Sequence, residues 1–362
     1  MAIIEHVTKH PSRSPLNWDY VHPDGIVRRV ATYDTVLPLW RVITGHSSRA
    51  VKPIVRELRP KRMAHMSPFL GTEALALGAV TKRTLRSHYD PVYRNVYVQK
   101  GEVLTPATRA VAAWLWSGRQ ATTAGSSAAA LYGTQWIDPR LPAELYRRNG
   151  KPVDGIVIHR DELCDDETRM IRGIPATTPA RTAFDLGRRD RRTQALIAVD
   201  ALANATKLQE SDVQVLIERH SGVRGLVQLR EVLDLMDGGA ESPQETRTRL
   251  VLIDAGLPRP TTQIIVNGNF AGRRYAKVDM GYEDFKVGVE YDGEHHWTES
   301  RQYAYDIDRH AELLARGWVI IRVSAEILRY RPDVIVARVC LALQATGAEW
   351  PVIAQILGNR VA

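Results

Sequence analysis

The sequence predicts an α/β C-terminal domain, a mixed sheet flanked by helices, preceded by a winged helix-turn-helix and a mostly helical middle domain. Three observations predict it. Residues 240–350 read as helix, three strands, helix, strand and helix, an order that packs helices around one sheet. Residues 66–100 place two short helices, the second one basic, ahead of a strand. Residues 101–237 carry one period-3.6 pattern after another.

The bulk properties agree. At 362 residues, 44% hydrophobic and 25% charged, the chain is long enough for several domains with real cores. No apolar run is long enough to cross a bilayer, so no membrane association is expected. The first residues lack a signal-peptide pattern, and Cys164 and Cys340 lack disulfide or metal spacing, so a cytoplasmic, reduced protein is expected. The net charge of +8 is uneven: residues 1–65 hold 11 Lys and Arg against 5 Asp and Glu. That stretch shows no sustained period and reads as a disordered extension or as a mis-assigned start ahead of Met63 or Met66.

Element by element, Ser67 with Pro68 can open a helix that ends at Gly78, and Thr81 opens the basic helix TKRTLRSH. VYRNVYV follows as a strand. In a winged layout this second helix offers Lys82, Arg83 and Arg86 to DNA, and the strand sets Arg94 beside them. Thr105-Pro106 starts the next helix, and TTAGSSAAALYG reads as a Ser-capped helix closed by Gly133. GIVIHR is the clearest strand of a short β segment. TTPARTAFDLGRRDRRTQALIAVDALANA reads as amphipathic helix, with Arg181 and Asp185 as an ordinary i,i+4 pair and RRDRR, like YRRNG, as a solvated face. Two further helices end near Leu235. After Gly238-Gly239, Ser242 caps a helix with Pro243 first and Glu245 in capping-box position. Strands QIIVNGNF, YAKVDMGY and KVGVEYDG, helix QYAYDIDRHAELLARG, strand WVIIRVS and a last helix from Pro332 to Thr346 complete the domain.

The densest chemistry lies in YAKVDMGYEDFKVGVEYDGEHHW. Glu290 and Asp292 alternate with Val287, Val289 and Tyr291, so they share one face of their strand, with Asp279 on the strand before. Such an oxygen-rich pocket suits Mg²⁺ or Mn²⁺, with Asp279 and Glu290 as ligands. Gly293 breaks the strand, and His295 and His296 follow.

SPQE at Ser242–Glu245, VD at Val278–Asp279, EYDGEHH at Glu290–His296, D-x-x-R at Asp306–Arg309 and GWVIIRV at Gly317–Val323 carry a resemblance. Over about residues 240–346 the chain resembles the PD-(D/E)XK, restriction-endonuclease-like nucleases, above all the very-short-patch-repair branch. Over about 66–235 it resembles AbiEi-type antitoxin winged-helix proteins, through SSAAALYG and TTPARTAFDL. The first resemblance implies Asp279 as the bridging metal ligand, Glu290 as the second and Glu245 as an accessory acid. The position where that family carries lysine holds Asp292. Asp292 could bind metal or hold His296 as general acid or base. Arg309 and Arg322 are expected to contact phosphate or to pair with the acids. The expected function is a metal-dependent DNA endonuclease targeted by the winged helix, without a small-molecule cofactor. The alternative is a non-catalytic, antitoxin-type DNA-binding regulator with a degenerate nuclease domain and a toxin partner.

Overall fold

The computed structural model describes the backbone of residues 19–21 and 27–29, residues 68–293 except 152, 271 and 272, and residues 300–358, with 300–305 as backbone alone. Ser67, His295 and His296 lie outside the described residues. Within the stretch read as an extension, β1 (Asp19–Val21) and β2 (Val27–Arg29) pair antiparallel.

The next unit comprises β3 (Phe69–Leu70), α1 (Gly71–Ala76), α2 (Lys82–His88), β4 (Tyr89–Tyr93) and β5 (Val96–Gln99), with the strands in the order β3-β5-β4. Thr81 caps α2 as expected, and Thr84 returns the bond to the Thr81 N–H. Two expectations are corrected. The chain at Phe69–Leu70 is extended against β5 rather than helical. VYRNVYV is a hairpin rather than one strand, because Asn95 takes a left-handed φ of 66°. The Asn95 amide also braces α1, accepting from Thr72 N at 2.9 Å and donating to Thr72 Oγ1 at 2.9 Å.

The middle of the chain contains α3 (Pro106–Trp116), β6 (Thr122–Thr123), α4 (Gly125–Leu131), β7 (Ala143–Tyr146), β8 (Ile156–His159), β9 (Thr168–Ile171) and β10 (Ile174–Thr177). Four helices follow: α5 (Pro179–Arg189), α6 (Arg192–Thr206), α7 (Glu210–Arg219) and α8 (Leu226–Leu235). Helices hold only about half of this region, and a five-stranded mixed sheet, β8-β7-β6-β10-β9, runs through it. Its strands are two to four residues long, too short to show an alternating pattern. α4 is not Ser-capped: Glu144 on β7 reaches across to accept from Ser126 N at 2.8 Å. The long amphipathic pattern is two helices, parted at Asp190 and Arg191, whose backbones are extended.

The C-terminal domain comprises α9 (Pro243–Asp254), β11 (Thr261–Phe270), β12 (Arg273–Tyr282), β13 (Val287–Asp292), α10 (Ser300–Ala315), β14 (Val319–Ser324), α11 (Ala325–Tyr330), α12 (Pro332–Ala345) and α13 (Pro351–Gly358). The sheet order is β11-β12-β13-β14, antiparallel except for the β13–β14 pair. Leu252 of α9 and Val339 and Leu343 of α12 pack with Val287 and Val289 on one face. Leu313 of α10 packs with Ile264 and Val278 on the other. A buried ion pair joins this domain to the middle one: Arg249 of α9 donates to Asp200 of α6 at 2.6 Å, and Thr246 donates to the same carboxylate oxygen at 2.8 Å. Among the described residues, no helix is long and apolar enough to cross a membrane.

Candidate functional site

The acidic cluster is shaped by an irregularity in β12. Ala276 and Val278 pack in the core beneath α10, whereas Met280 and Tyr282 pack in the core beneath α9 and α12. Residues two apart share a face in a regular strand, so the strand's faces exchange between Val278 and Met280. Asp279 sits at the crossing. Its counterpart on β11, Gln263, has a φ of 53° and is the residue skipped between the Thr262↔Met280 and Ile264↔Val278 rungs.

The β12–β13 ladder extends only to Met280↔Val289. Beyond it the Asp279 carboxylate accepts from Tyr291 N at 2.8 Å, in place of a strand carbonyl. Burial raises the Asp279 carboxyl to about 7, reinforced by the nearby charges of Glu245 and Glu290, against the opposing effects of the Tyr291 N–H and Arg309. Glu290, 8% exposed, accepts from Arg309 Nη1 at 2.8 Å and Nη2 at 2.7 Å. The same Nη1 donates to the Lys277 carbonyl at 3.3 Å, so one guanidinium fills the gap where the two strands part. Asp292 pairs with Arg322 at 2.8 Å, which parallel register places on the rung of Glu290.

Glu245 lies apart in its bonding. Its N–H donates to Ser242 Oγ at 3.2 Å, the expected cap, but its carboxylate accepts from Glu241 N at 3.0 Å and Gln263 Nε2 at 2.9 Å. The reciprocal half of the box is therefore shifted one residue out. Burial pushes the Glu245 carboxyl up.

The structure thus brings Glu245, Asp279 and Glu290 into electrostatic contact, pairs Glu290 with Arg309, and pairs Asp292 with Arg322 at the surface. As placed, Glu290 is not free to bind a divalent cation. Both of its oxygens serve a guanidinium, whereas a metal requires free, charged carboxylates. Among the described residues, no three of these acids converge in a metal-ligating group. His296, cast as acid or base, lies outside the described residues.

The basic helix differs. Lys82, Arg83 and Arg86 on α2 and Arg94 in the β4–β5 turn are all exposed, and none of them forms an ion pair among the described residues. Leu85 anchors α2 to a small core with Phe69, Ala74 and Val80.

Sequence reasoning missed the charged core of the middle domain. Arg181 and Asp185, each 1% exposed, are no ordinary surface pair. Arg181 also binds Glu167 and donates to Tyr146 Oη at 2.7 Å, and Tyr146 Oη donates to Asp185 at 2.7 Å. RRDRR is not a solvated face either: Arg188 and Arg189 fold back onto Asp161 and Asp185, and Arg192 pairs with Glu231 and Asp254. The one visible signal was a run of arginines on a helix that also needs a buried face.

Comparison with known proteins places this region. Residues 121–235 match the model of the AbiEi antitoxin C-terminal domain. Two uncharacterized proteins of Mycobacterium tuberculosis, Rv2248 of strain ATCC 25618 / H37Rv and MT2308 of strain CDC 1551 / Oshkosh, are each 30% identical over 230 residues, which is 61% of this chain and 81% of theirs. No solved structure matches the chain.

Proposed function

This chain belongs to the family of those two mycobacterial proteins and carries an AbiEi antitoxin-type domain, and from that premise we propose that it is a non-catalytic, DNA-binding regulator of antitoxin type. The observation that carries this reading is the exposed α2 surface, where Lys82, Arg83 and Arg86 have no carboxylate partner among the described residues. Arg181 and Arg249, by contrast, are buried in ion pairs. Unpaired cations on one helix are what phosphate recognition needs. A toxin partner belongs to the same reading, through the antitoxin-type domain.

The nuclease-like domain has a structural role in this account. Arg309 and Arg322 neutralise the acids that a cleaving enzyme would leave for metal. A rival reading, metal-dependent cleavage by Asp279 and Glu290, draws on the crowding of Glu245, Asp279 and Glu290, since perturbed carboxylates gather at active sites.

One preparation tests both readings. Fluorescence anisotropy on a labelled duplex should show binding that weakens with salt. The Lys82→Ala/Arg83→Ala/Arg86→Ala variant should bind at least ~10-fold more weakly, with the log–log salt slope reduced by about 0.9 for each phosphate no longer neutralised. An unchanged slope in the variant overturns the DNA-binding reading. With Mn²⁺ and supercoiled plasmid the wild type should leave the DNA intact. Nicking that disappears in Asp279→Ala would restore the enzyme.

A further inference from the structure

Cys164 is the N-cap of a single 3₁₀ turn, Asp165–Glu167, that leads into β9. Positions three apart eclipse in such a turn, which sets the side chains of Cys164 and Glu167 on one side. His220 follows α7 as its C-cap and faces them from another element. The Cys164 Sγ, a carboxylate oxygen of Glu167 and a ring nitrogen of His220 all lie within 4.8 Å of one another. We propose that Cys164, Glu167 and His220 form a transition-metal site in the antitoxin-type domain, with a donor set suited to Zn²⁺.

The donor chemistry selects the class. Sulfur, imidazole and one carboxylate suit a borderline-soft ion, whereas Mg²⁺ and Ca²⁺ take oxygen and refuse sulfur. Ligands about 2.0–2.3 Å from a tetrahedral Zn²⁺ stand roughly 3.3–3.8 Å apart, so the group closes on the ion with small side-chain movements. His220 Nε2 now lies 2.6 Å from Glu167 Oε1, and the metal would take the place of the proton between them. A thiolate and a carboxylate together neutralise the dication.

The surrounding groups permit it. Arg181 holds the other oxygen, Oε2, so Glu167 presents Oε1 alone, and the charge of Arg181 is met by Asp185. Arg219 would release its 3.2 Å contact to Oε1 while keeping Asp166 at 2.8 Å. Cys164 is half-buried and gives the ion a way in, while Glu167 is fully buried. Three protein ligands leave a fourth position, as in zinc sites that keep a water. The ion would tie the entry of β9 to the end of α7.

The test uses the reduced full chain titrated with Co²⁺ and then Zn²⁺. One equivalent of Co²⁺ should produce a thiolate-to-cobalt charge-transfer band that Zn²⁺ abolishes, and Zn²⁺ should raise Tm, because it binds the folded state. Cys164→Ser and His220→Gln should each lose the band and the Tm rise, with metal affinity lowered at least ~10-fold. Cys340→Ser, which alters the buried thiol, should keep both. The metal-free Tm of Cys164→Ser, close to wild type, controls for folding. A titration without a charge-transfer band, or a band that survives in Cys164→Ser or His220→Gln, overturns the proposal. A Tm rise without the band places the ion elsewhere and overturns it equally. DNA binding through α2 is measured separately and does not depend on the result.

Discussion

Arg309 on α10 forks both carboxylate oxygens of Glu290 on β13, at 2.8 and 2.7 Å. The helix and the strand belong to different layers, so this pair fastens α10 to the sheet at the point where β12 leaves β13. Bidentate geometry and near-complete burial of the acid separate it from a surface ion pair. Removing one partner strands the other charge. Arg309→Ala should therefore cost about 3 kcal/mol in urea denaturation, while Arg309→Ala/Glu290→Gln should recover part of that loss. A double-variant loss equal to the sum of the Arg309→Ala and Glu290→Gln losses would mean that the pair is not coupled.

Asp279 makes stability depend on pH in an unusual direction. Its carboxyl is raised from 3.8 to about 7, first by burial and then by the charges of Glu245 and Glu290. The folded state holds this proton more tightly than the unfolded state does. The contribution is fully present below the unfolded value, declines as pH rises through the window from 3.8 to about 7, and is lost above it. Asp279→Asn keeps an oxygen to accept from Tyr291 N but has no charge to bury. At pH 8 the variant should be more stable than wild type by about 1–3 kcal/mol, at roughly 1.4 kcal/mol per pKa unit. Melting curves between pH 5 and 8 check this, and parallel pH profiles for the two proteins would refute it.

Two arginines with i,i+4 carboxylates should behave very differently. Arg181, buried with Asp185, Glu167 and Tyr146, should cost about 3–5 kcal/mol as Arg181→Ala, because it removes the fully buried cation that two buried acids share. Arg316 makes a 2.7 Å pair with Glu312 in which both side chains are about a third exposed or more. Arg316→Ala should cost under about 1 kcal/mol. Chemical denaturation of both variants gives the comparison directly.

Elements whose information is local were legible in the chain itself. Thr81, Thr105 and Ser242 each accept the backbone N–H expected of a helix cap, since capping needs only residues three apart. Apart from the six-residue α11, the order of helices and strands from Ser242 to Ala345 was legible because each of the elements read there spans enough residues to show its period. The acids could be read too: alternation set Glu290 and Asp292 on one face, with Asp279 on the strand beside them.

Whatever depends on partners distant in the chain came from the fold. Strands of two to four residues in the middle sheet owe their state to neighbours, not to period, and α4 borrows its cap from Glu144. The long helical pattern breaks at Asp190, where Arg188 and Arg189 turn back to Asp161, in the loop after β8. Above all, composition cannot say which cations meet which anions. Glu290 found Arg309 and Asp292 found Arg322, while Lys82, Arg83 and Arg86 met no such partner among the described residues. Charge pairing is an interaction through space, so a sequence names the groups but only the fold sets the distances between them.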